Sequence, residues 1–290
     1  MAGGQEGMTG MAARKSPVGW ILLVLAVVGA VVWFRSAANT PLPVDRAIAR
    51  GQVTVSFAAA DAAHSTLTIT RAGADGALTV VVPAGAPIYS AAAGDQRLAV
   101  ARTVTVRLAK GQSQASVALE TYCLDQFALQ PTPTTALSFS PPSDGTVVEE
   151  TEPLRKLIAC LDGSTQPHDA RQFAVWMVSQ NYLDLSYAQA RGRIREAYRQ
   201  VLDDQARTAL NGAVRDQVAA ALPGASSADI DAAVTRIGGQ RLAGKLDARA
   251  ERMTAADLKG FLGGGAQALE SCGYQTQVLE FFKDAPKASA

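Results

Sequence analysis

The chain has 290 residues, and its 27 Lys and Arg against 26 Asp and Glu give a formal net charge of +1. This balance creates no broad electrostatic attraction to nucleic acid, so we expect no nucleic-acid partner. Three cysteines, Cys123, Cys160 and Cys272, are too few for a disulfide-rich scaffold, and their odd number leaves at least one outside any intramolecular disulfide. Because the two histidines belong to no zinc-binding motif, the sequence predicts no metal site and no cofactor.

The N-terminal region contains an apolar run from Pro17 to Phe34 without a single charge. A helix of that length, at about 1.5 Å per residue, spans roughly the hydrocarbon core of a bilayer. Arg14 and Lys15 before the run outnumber Arg35 after it, which predicts residues 1–16 as a cytoplasmic tail. We therefore predict a single-pass protein of the cell membrane, with the lipid bilayer as one partner and the C-terminal part outside the cytoplasm.

A cleaved signal peptide is the alternative, because Ser36 and Ala38 supply small residues for a cleavage site. The apolar run is longer than the usual signal core, and bulky Trp33 and Phe34 crowd the position just upstream. These features favour an uncleaved anchor at residues 17–34. Both interpretations export the same part of the chain.

The region after the tether at residues 35–44 shows short segments in which polar and apolar residues alternate, as they do in half-buried strands. Turn signals rich in Gly and Pro separate these segments, a spacing typical of an antiparallel, immunoglobulin-like β-sandwich over residues 45–122. The predicted strands are Gln52 to Phe57, Ser65 to Thr70, Leu78 to Val82, Val100 to Leu108 and Ala115 to Thr121.

The pattern becomes helical after a crossing loop at residues 123–150, and apolar residues recur at helical spacing over residues 151–283. Residues 284–290 are predicted to be a disordered tail. The predicted helices are Glu152 to Leu161, Ala170 to Val178, Ser186 to Leu202, Thr208 to Leu222, Ser227 to Ile237 and Ala255 to Leu269, with Ser227 and Thr254 as N-caps and a break at Gly263 to Gly265. The sequence thus predicts an α+β protein: an N-terminal transmembrane helix, a small antiparallel β-sandwich and a C-terminal α-helical domain.

Two short motifs stand out. Tyr122-Cys123-Leu124 ends the last predicted strand, and Gln172-Phe173-Ala174-Val175-Trp176 lies in a predicted helix. The pair resembles the bacterial surface thioester domains, which join a cysteine in an aromatic-Cys-hydrophobic context to a glutamine in a Gln-x-x-Ile/Val-Trp context. The motifs also resemble a looser group of exported bacterial proteins of unassigned function, for which a purely structural pair is the alternative.

The resemblance to thioester domains implies that Cys123 and Gln172 form an internal thioester with loss of ammonia. A surface nucleophile such as an amine would then attack the thioester carbonyl and attach the protein to its target. The sequence departs from that family at Arg171, where a small or hydroxyl residue usually stands, and predicted helices replace the β-rich scaffold.

Other interpretations of the same cysteine stay open. Cys123 is either a small buried residue or a disulfide partner of Cys160. It could also act as a nucleophile with His168 as its base and Asp169 orienting the imidazole, which would make the chain a hydrolase. Separately, a stripe of Arg191, Arg195 and Arg199 at helical spacing is interpreted as a solvated helix face. No accepted protease or transferase signature surrounds Cys123, which disfavours the hydrolase.

The function predicted from the sequence is that of a membrane-anchored, exported envelope or surface module that binds a protein or a surface polymer without catalytic activity. A covalent adhesin module that uses Cys123 and Gln172 is the first alternative. A hydrolase that uses Cys123 and His168 is the second.

Overall fold

The computed structural model describes residues 40–61, 63–73, 76–90, 96–140, 151–213 and 215–286. The predicted cytoplasmic tail, the predicted anchor at residues 17–34 and the first part of the tether lie outside these ranges. Among the described residues no helix is long and apolar enough to cross a membrane. The predicted fold with its transmembrane helix is therefore corrected to an α+β fold in which strands precede helices. The longest helix, Ser227–Gly260, carries charged side chains along its whole length.

Nine strands occupy the first half of the described chain and form two sheets. They are β1 Leu42–Pro43, β2 Val53–Ala59, β3 His64–Arg71, β4 Leu78–Val82, β5 Pro87–Ser90, β6 Leu98–Val100, β7 Val104–Leu108, β8 Gln114–Cys123 and β9 Leu137–Ser138. The smaller sheet has the order β1-β4-β7, and the larger has the order β2-β3-β8-β6-β5-β9.

The smaller sheet departs from the predicted antiparallel sandwich because β1 runs parallel to β4, with Leu42 aligned to Val80. After β1 the chain passes through a short helix, α1 (Val44–Ala49), and crosses to the larger sheet as β2. It returns to the smaller sheet only at β4, and a crossover of this kind permits parallel pairing. The prediction of purely antiparallel strands is therefore wrong for this sheet.

The predicted strand from Val100 to Leu108 is in fact two strands, β6 and β7, which belong to different sheets. The chain breaks between them at residues 101–103. There the Thr103 backbone N–H and hydroxyl donate to the two carboxylate oxygens of Asp162, at 2.8 and 2.7 Å. The carboxylate of Asp162, which follows the helix Glu152–Leu161, thus accepts hydrogen bonds from Thr103 at the point where the chain passes from one sheet to the other.

Helices make up the second half of the described chain, and three of the six predicted helices are longer in the structure than predicted. They are α2 Glu152–Leu161, α3 His168–Ser179, α4 Tyr187–Ala213, α5 Arg215–Ala221, α6 Ser227–Gly260, α7 Ala266–Ser271 and α8 Gln275–Phe282, with a 3₁₀ turn at Tyr182–Asp184 and a π-helical segment at Phe261–Gly265.

Two predicted helix caps are wrong in position. Ser226, not Ser227, caps α6, and it shares a capping box with Asp229. Thr254 lies inside α6, where its hydroxyl donates to the Ala250 carbonyl at 2.8 Å. An internal threonine can satisfy its hydroxyl on the preceding turn in this way, so the cap-like sequence does not start a new helix.

Two hydrophobic cores share the strand pair β6–β8, because successive side chains of a strand point to opposite faces. Leu98 and Cys123 face the core between the two sheets. Ala99 and Tyr122 face the core formed with the helices. Trp176 on α3 packs against both cores. The strand pair is therefore the layer on which the helices rest.

The predicted break at Gly263 to Gly265 is present as a kink, because Gly263 has a non-helical backbone with φ −88° and ψ −105°. The same segment also makes a close helix contact. The π-helical segment and the end of α6 pack against α3 so tightly that a Cβ at Gly260 would lie 2.4 Å from two ring carbons of Phe173. A Cβ at Gly264 would lie 2.6 Å from the Cβ of Ala170. Glycine is required at these positions because α3 approaches the backbone itself.

The substitution Gly260→Ala should lower the free energy of unfolding by about 1–3 kcal/mol, because the new methyl group overlaps the Phe173 ring. Gly244→Ala is the matched control: it lies in the same helix with nothing within 4 Å of the added Cβ, and it should stabilise by about 0.5–1 kcal/mol. Urea denaturation measures both. Equal effects of the two substitutions would contradict the close packing.

Candidate functional site

The end of strand β8 carries the cysteine motif, and one of its edges lacks a partner strand. The pairing of β3 with β8 ends at His64 and Glu120, followed by one bond from the Thr121 N–H to the Ala63 carbonyl at 2.8 Å. On the other edge β6 continues as far as Cys123. The backbone of residues 121–124 is buried at this point, so its polar groups must find hydrogen-bond partners elsewhere.

Side chains of helix α3 and its C-cap residue provide those partners. His168 donates from Nε2 to the Thr121 carbonyl at 2.9 Å. The Ser179 hydroxyl and the Gln180 carboxamide both donate to the Leu124 carbonyl, at 2.9 and 2.8 Å. Helix side chains therefore cover the strand edge where β3 has ended.

The central contact joins the two predicted residues, Cys123 and Gln172. The Cys123 N–H donates to Gln172 Oε1 at 2.9 Å, and Gln172 Nε2 donates to the Cys123 carbonyl at 2.8 Å. One carboxamide thus makes the same exchange of two hydrogen bonds that a residue of a neighbouring strand would make. The structure brings the predicted pair together through the cysteine backbone, and it leaves the side chain of Cys123 facing the core between the sheets.

Burial determines the chemistry of the Cys123 thiol. Its residue is 5% exposed, and this desolvation, with the charges of Asp61 and Asp125, raises the pKa of the thiol to about 12. The thiolate is the nucleophilic form, so the group is almost wholly in its unreactive form at neutral pH. The predicted pairing of Cys123 with Cys160 is corrected: Cys160 is bonded to Cys272, and Cys123 remains a thiol.

A buried charge cluster adjoins this contact. Arg171, with a side chain only 3% exposed, donates to Glu120 at 2.5 Å, to the Tyr122 hydroxyl at 2.8 Å and to the Gln166 carbonyl at 3.0 Å. Burial by itself would raise the pKa of Glu120, but the charge and hydrogen bonds of Arg171 outweigh it and lower that pKa. Arg171, the residue that departs from the thioester pattern, therefore anchors α3 to β8.

His168, the proposed base of the hydrolase alternative, is held by other groups. Its ring stacks on Tyr122, with the ring centroids 5.6 Å apart, and on His64 at 6.3 Å. Its Nδ1 lies 3.8 Å from the Asp169 carboxylate, and its Nε2 is engaged by the Thr121 carbonyl. In the part of the chain that the structure describes, no group of three or more potential metal ligands occurs.

A second buried network, which the sequence did not reveal, joins the loop after β8 to the long helices. Gln126 Nε2 and the Tyr198 hydroxyl both donate to Asp257 Oδ2, at 2.5 and 2.6 Å, and the Tyr182 hydroxyl donates to Gln126 Oε1 at 2.8 Å. Asp257 is 9% exposed, and burial raises its pKa although both hydrogen bonds act in the opposite direction.

The arginine stripe of α4 forms ion pairs with α6. Arg191 and Arg195 pair with Glu251, and Arg199 pairs with Asp247.

The chain matches no family model, and the comparisons with curated proteins and with solved structures found no match. Function therefore rests on the geometry of the site. That geometry brings together Cys123, Gln172 and His168 at one end of β8, but the hydrogen bonds that Gln172 and His168 make there are with the strand backbone.

The buried Asp257 carboxyl should make stability depend on pH. Its folded-state pKa lies above the unfolded value, so its contribution to stability is complete below the unfolded pKa and is lost as pH rises through the folded pKa. Asp257→Asn removes the charge and should therefore stabilise the protein more at pH 7 than at pH 4, as measured by urea denaturation at both values.

A second variant tests the same network from the opposite side. Tyr198→Phe removes a donor to the Asp257 carboxylate, so stability should fall more steeply with rising pH than in the natural protein. If both variants shift stability equally at pH 4 and pH 7, Asp257 does not titrate as a buried acid.

Proposed function

We propose that this protein is an exported envelope module that binds a partner without catalysing a reaction. The observation that carries the proposal is the double hydrogen bond between Gln172 and the backbone of Cys123. It gives the most distinctive sequence motif of the chain a structural purpose. Because Cys123 and Gln172 hold the edge of β8, we assign the function of the protein to a binding surface and not to this pair of residues.

The disulfide between Cys160 and Cys272 supports an exported location. It joins the end of α2 to the residue after α7, across a sequence separation of 112 residues. Disulfides form and persist in oxidising compartments and are rare in the cytoplasm. The bond closes a long loop between α2 and the end of α7, so it also supports the fold of the helical part in such a compartment.

The state of Cys123 supports a binding role over a hydrolase. Burial keeps the thiol protonated, since its pKa is raised to about 12, and the Nε2 of His168 donates to the Thr121 carbonyl. A cysteine nucleophile needs an adjacent group that lowers its pKa or accepts its proton. Asp61 and Asp125 instead raise the pKa further.

A covalent adhesin module remains the second candidate, because the Gln172 carboxamide does lie against Cys123. In that reaction the Cys123 sulfur would bond to the Gln172 carboxamide carbon, and ammonia would leave with the thiol proton. The paired backbone hydrogen bonds favour the structural alternative, since both polar atoms of the carboxamide are already engaged.

Intact mass spectrometry of the purified full chain, before and after treatment with methylamine, tests the proposal. We expect the sequence mass less two hydrogens for the one disulfide, and no methylamine adduct. Iodoacetamide should label no cysteine in the native protein, one after unfolding without reductant, and three after unfolding with reductant.

Two results would overturn the proposal, and Cys123→Ala identifies each. A further deficit of one ammonia that methylamine converts to an adduct, absent in Cys123→Ala, would establish the thioester. Labelling of Cys123 in the native protein would indicate the reactive thiol that a hydrolase needs.

A further inference from the structure

An open cleft lies at the end of the sandwich where the described chain begins. Its volume is about 560 Å³, within the range of roughly 300–1,000 Å³ that is usual for small-ligand sites. Thr40 and Leu42 at the chain entry form one side, and Leu78 at the start of β4 contributes an apolar wall. Sequence patterns did not indicate this site, because its walls come from two separate segments, 40–52 and 71–78.

Positive charge is concentrated in this cleft. Arg46 and Arg50 are both exposed and lie four residues apart, which places them on the same side of α1 and its C-terminal end. Arg71, at the end of β3, completes the lining and donates to the backbone carbonyls of Gly76 and of Leu108. These two hydrogen bonds orient the guanidinium group of Arg71.

The lining contains no carboxylate among the described residues that form it. Asp45, the one acidic residue of α1, is not part of the lining. Within the described ranges, neither Arg46 nor Arg50 forms an ion pair, whereas the arginines of α4 are paired with Glu251 and Asp247. The two arginines of α1 are therefore available to an external anion.

We infer that this cleft binds an oxyanion group, phosphate or carboxylate, carried on a ligand with an apolar part that rests against Leu42 and Leu78. Arginine donates to such groups through two parallel N–H bonds, which gives both affinity and orientation. The inference rests on the proposed function, because it names the chemistry of the partner that the module would recognise. The oxyanion could come from a soluble compound or from a lipid headgroup, and the experiment separates the two.

The test uses the purified full chain with two probes: inorganic phosphate, and vesicles of phosphatidylglycerol in phosphatidylcholine, with pure phosphatidylcholine vesicles as the neutral comparison. Two-dimensional NMR of arginine Nε–H groups follows phosphate, and co-sedimentation follows vesicles. The variant Arg46→Ala/Arg50→Ala should weaken binding about tenfold, since two charge-assisted contacts are lost. Binding should also weaken as ionic strength rises.

The matched control is Arg191→Ala/Arg195→Ala, which removes the same net charge at the same helical spacing from a site already paired with Glu251. If the cleft variant loses phosphate binding and the control variant retains it, the inference is supported and the oxyanion belongs to a soluble compound. Selective binding to phosphatidylglycerol vesicles with the same dependence supports it with a lipid source. The inference is overturned if the protein binds neither phosphate nor phosphatidylglycerol vesicles. It is also overturned if the cleft variant and the control variant lose binding equally.

The outcome is separable from that of the proposed function. The methylamine and labelling results concern Cys123, which lies at the far end of β8 from the cleft and is not part of its lining. A thioester would overturn the proposed function while leaving the anion measurement intact. Loss of the anion site would leave the structural assignment of Cys123 and Gln172 standing.

Discussion

The need to satisfy buried backbone groups at the end of β8 is the constraint on which the rest of the structure depends. Strand β3 ends at His64, yet β8 continues to Cys123 inside the protein. A buried N–H or carbonyl without a partner costs about 1–3 kcal/mol. The Gln172 carboxamide satisfies the Cys123 N–H and carbonyl in place of a neighbouring strand, because it offers one acceptor and one donor. That exchange joins α3 directly to the end of β8.

The docking of α3 then explains how the strands and the helices share their cores. Trp176, one turn after Gln172, reaches both hydrophobic clusters, and Tyr122 on the opposite face of β8 is buried against the helices. Arg171 would be costly to bury alone, but Glu120 and the Tyr122 hydroxyl satisfy it. The neighbouring glycines of the π-helical segment let a second helix pack closely on the other side of α3. One helix therefore holds the sheet and the remaining helices together.

Local patterns predicted much of this fold and little of its long-range pairing. Alternation identified β4 at its observed bounds, and helical spacing identified α2, because each pattern reports which face is buried. Strands of two to four residues such as β1 and β9 are too short to show a period. The motifs singled out Cys123 and Gln172, but they did not indicate that the Gln172 carboxamide bonds to the cysteine backbone. The bond between Cys160 and Cys272, and the Asp257 network, depend on tertiary approach that spacing does not encode.

Amide hydrogen exchange at Cys123 measures how firmly Gln172 holds the end of β8, in the natural protein and in Gln172→Ala, with the exposed Gln200→Ala as control. We expect the Cys123 N–H to exchange as slowly as that of Leu124, which donates to the Arg97 carbonyl at 2.9 Å. Gln172→Ala should accelerate exchange at Cys123, whereas Gln200→Ala should not. Fast exchange at Cys123 in the natural protein, or exchange that is unchanged in Gln172→Ala, would contradict this role of Gln172.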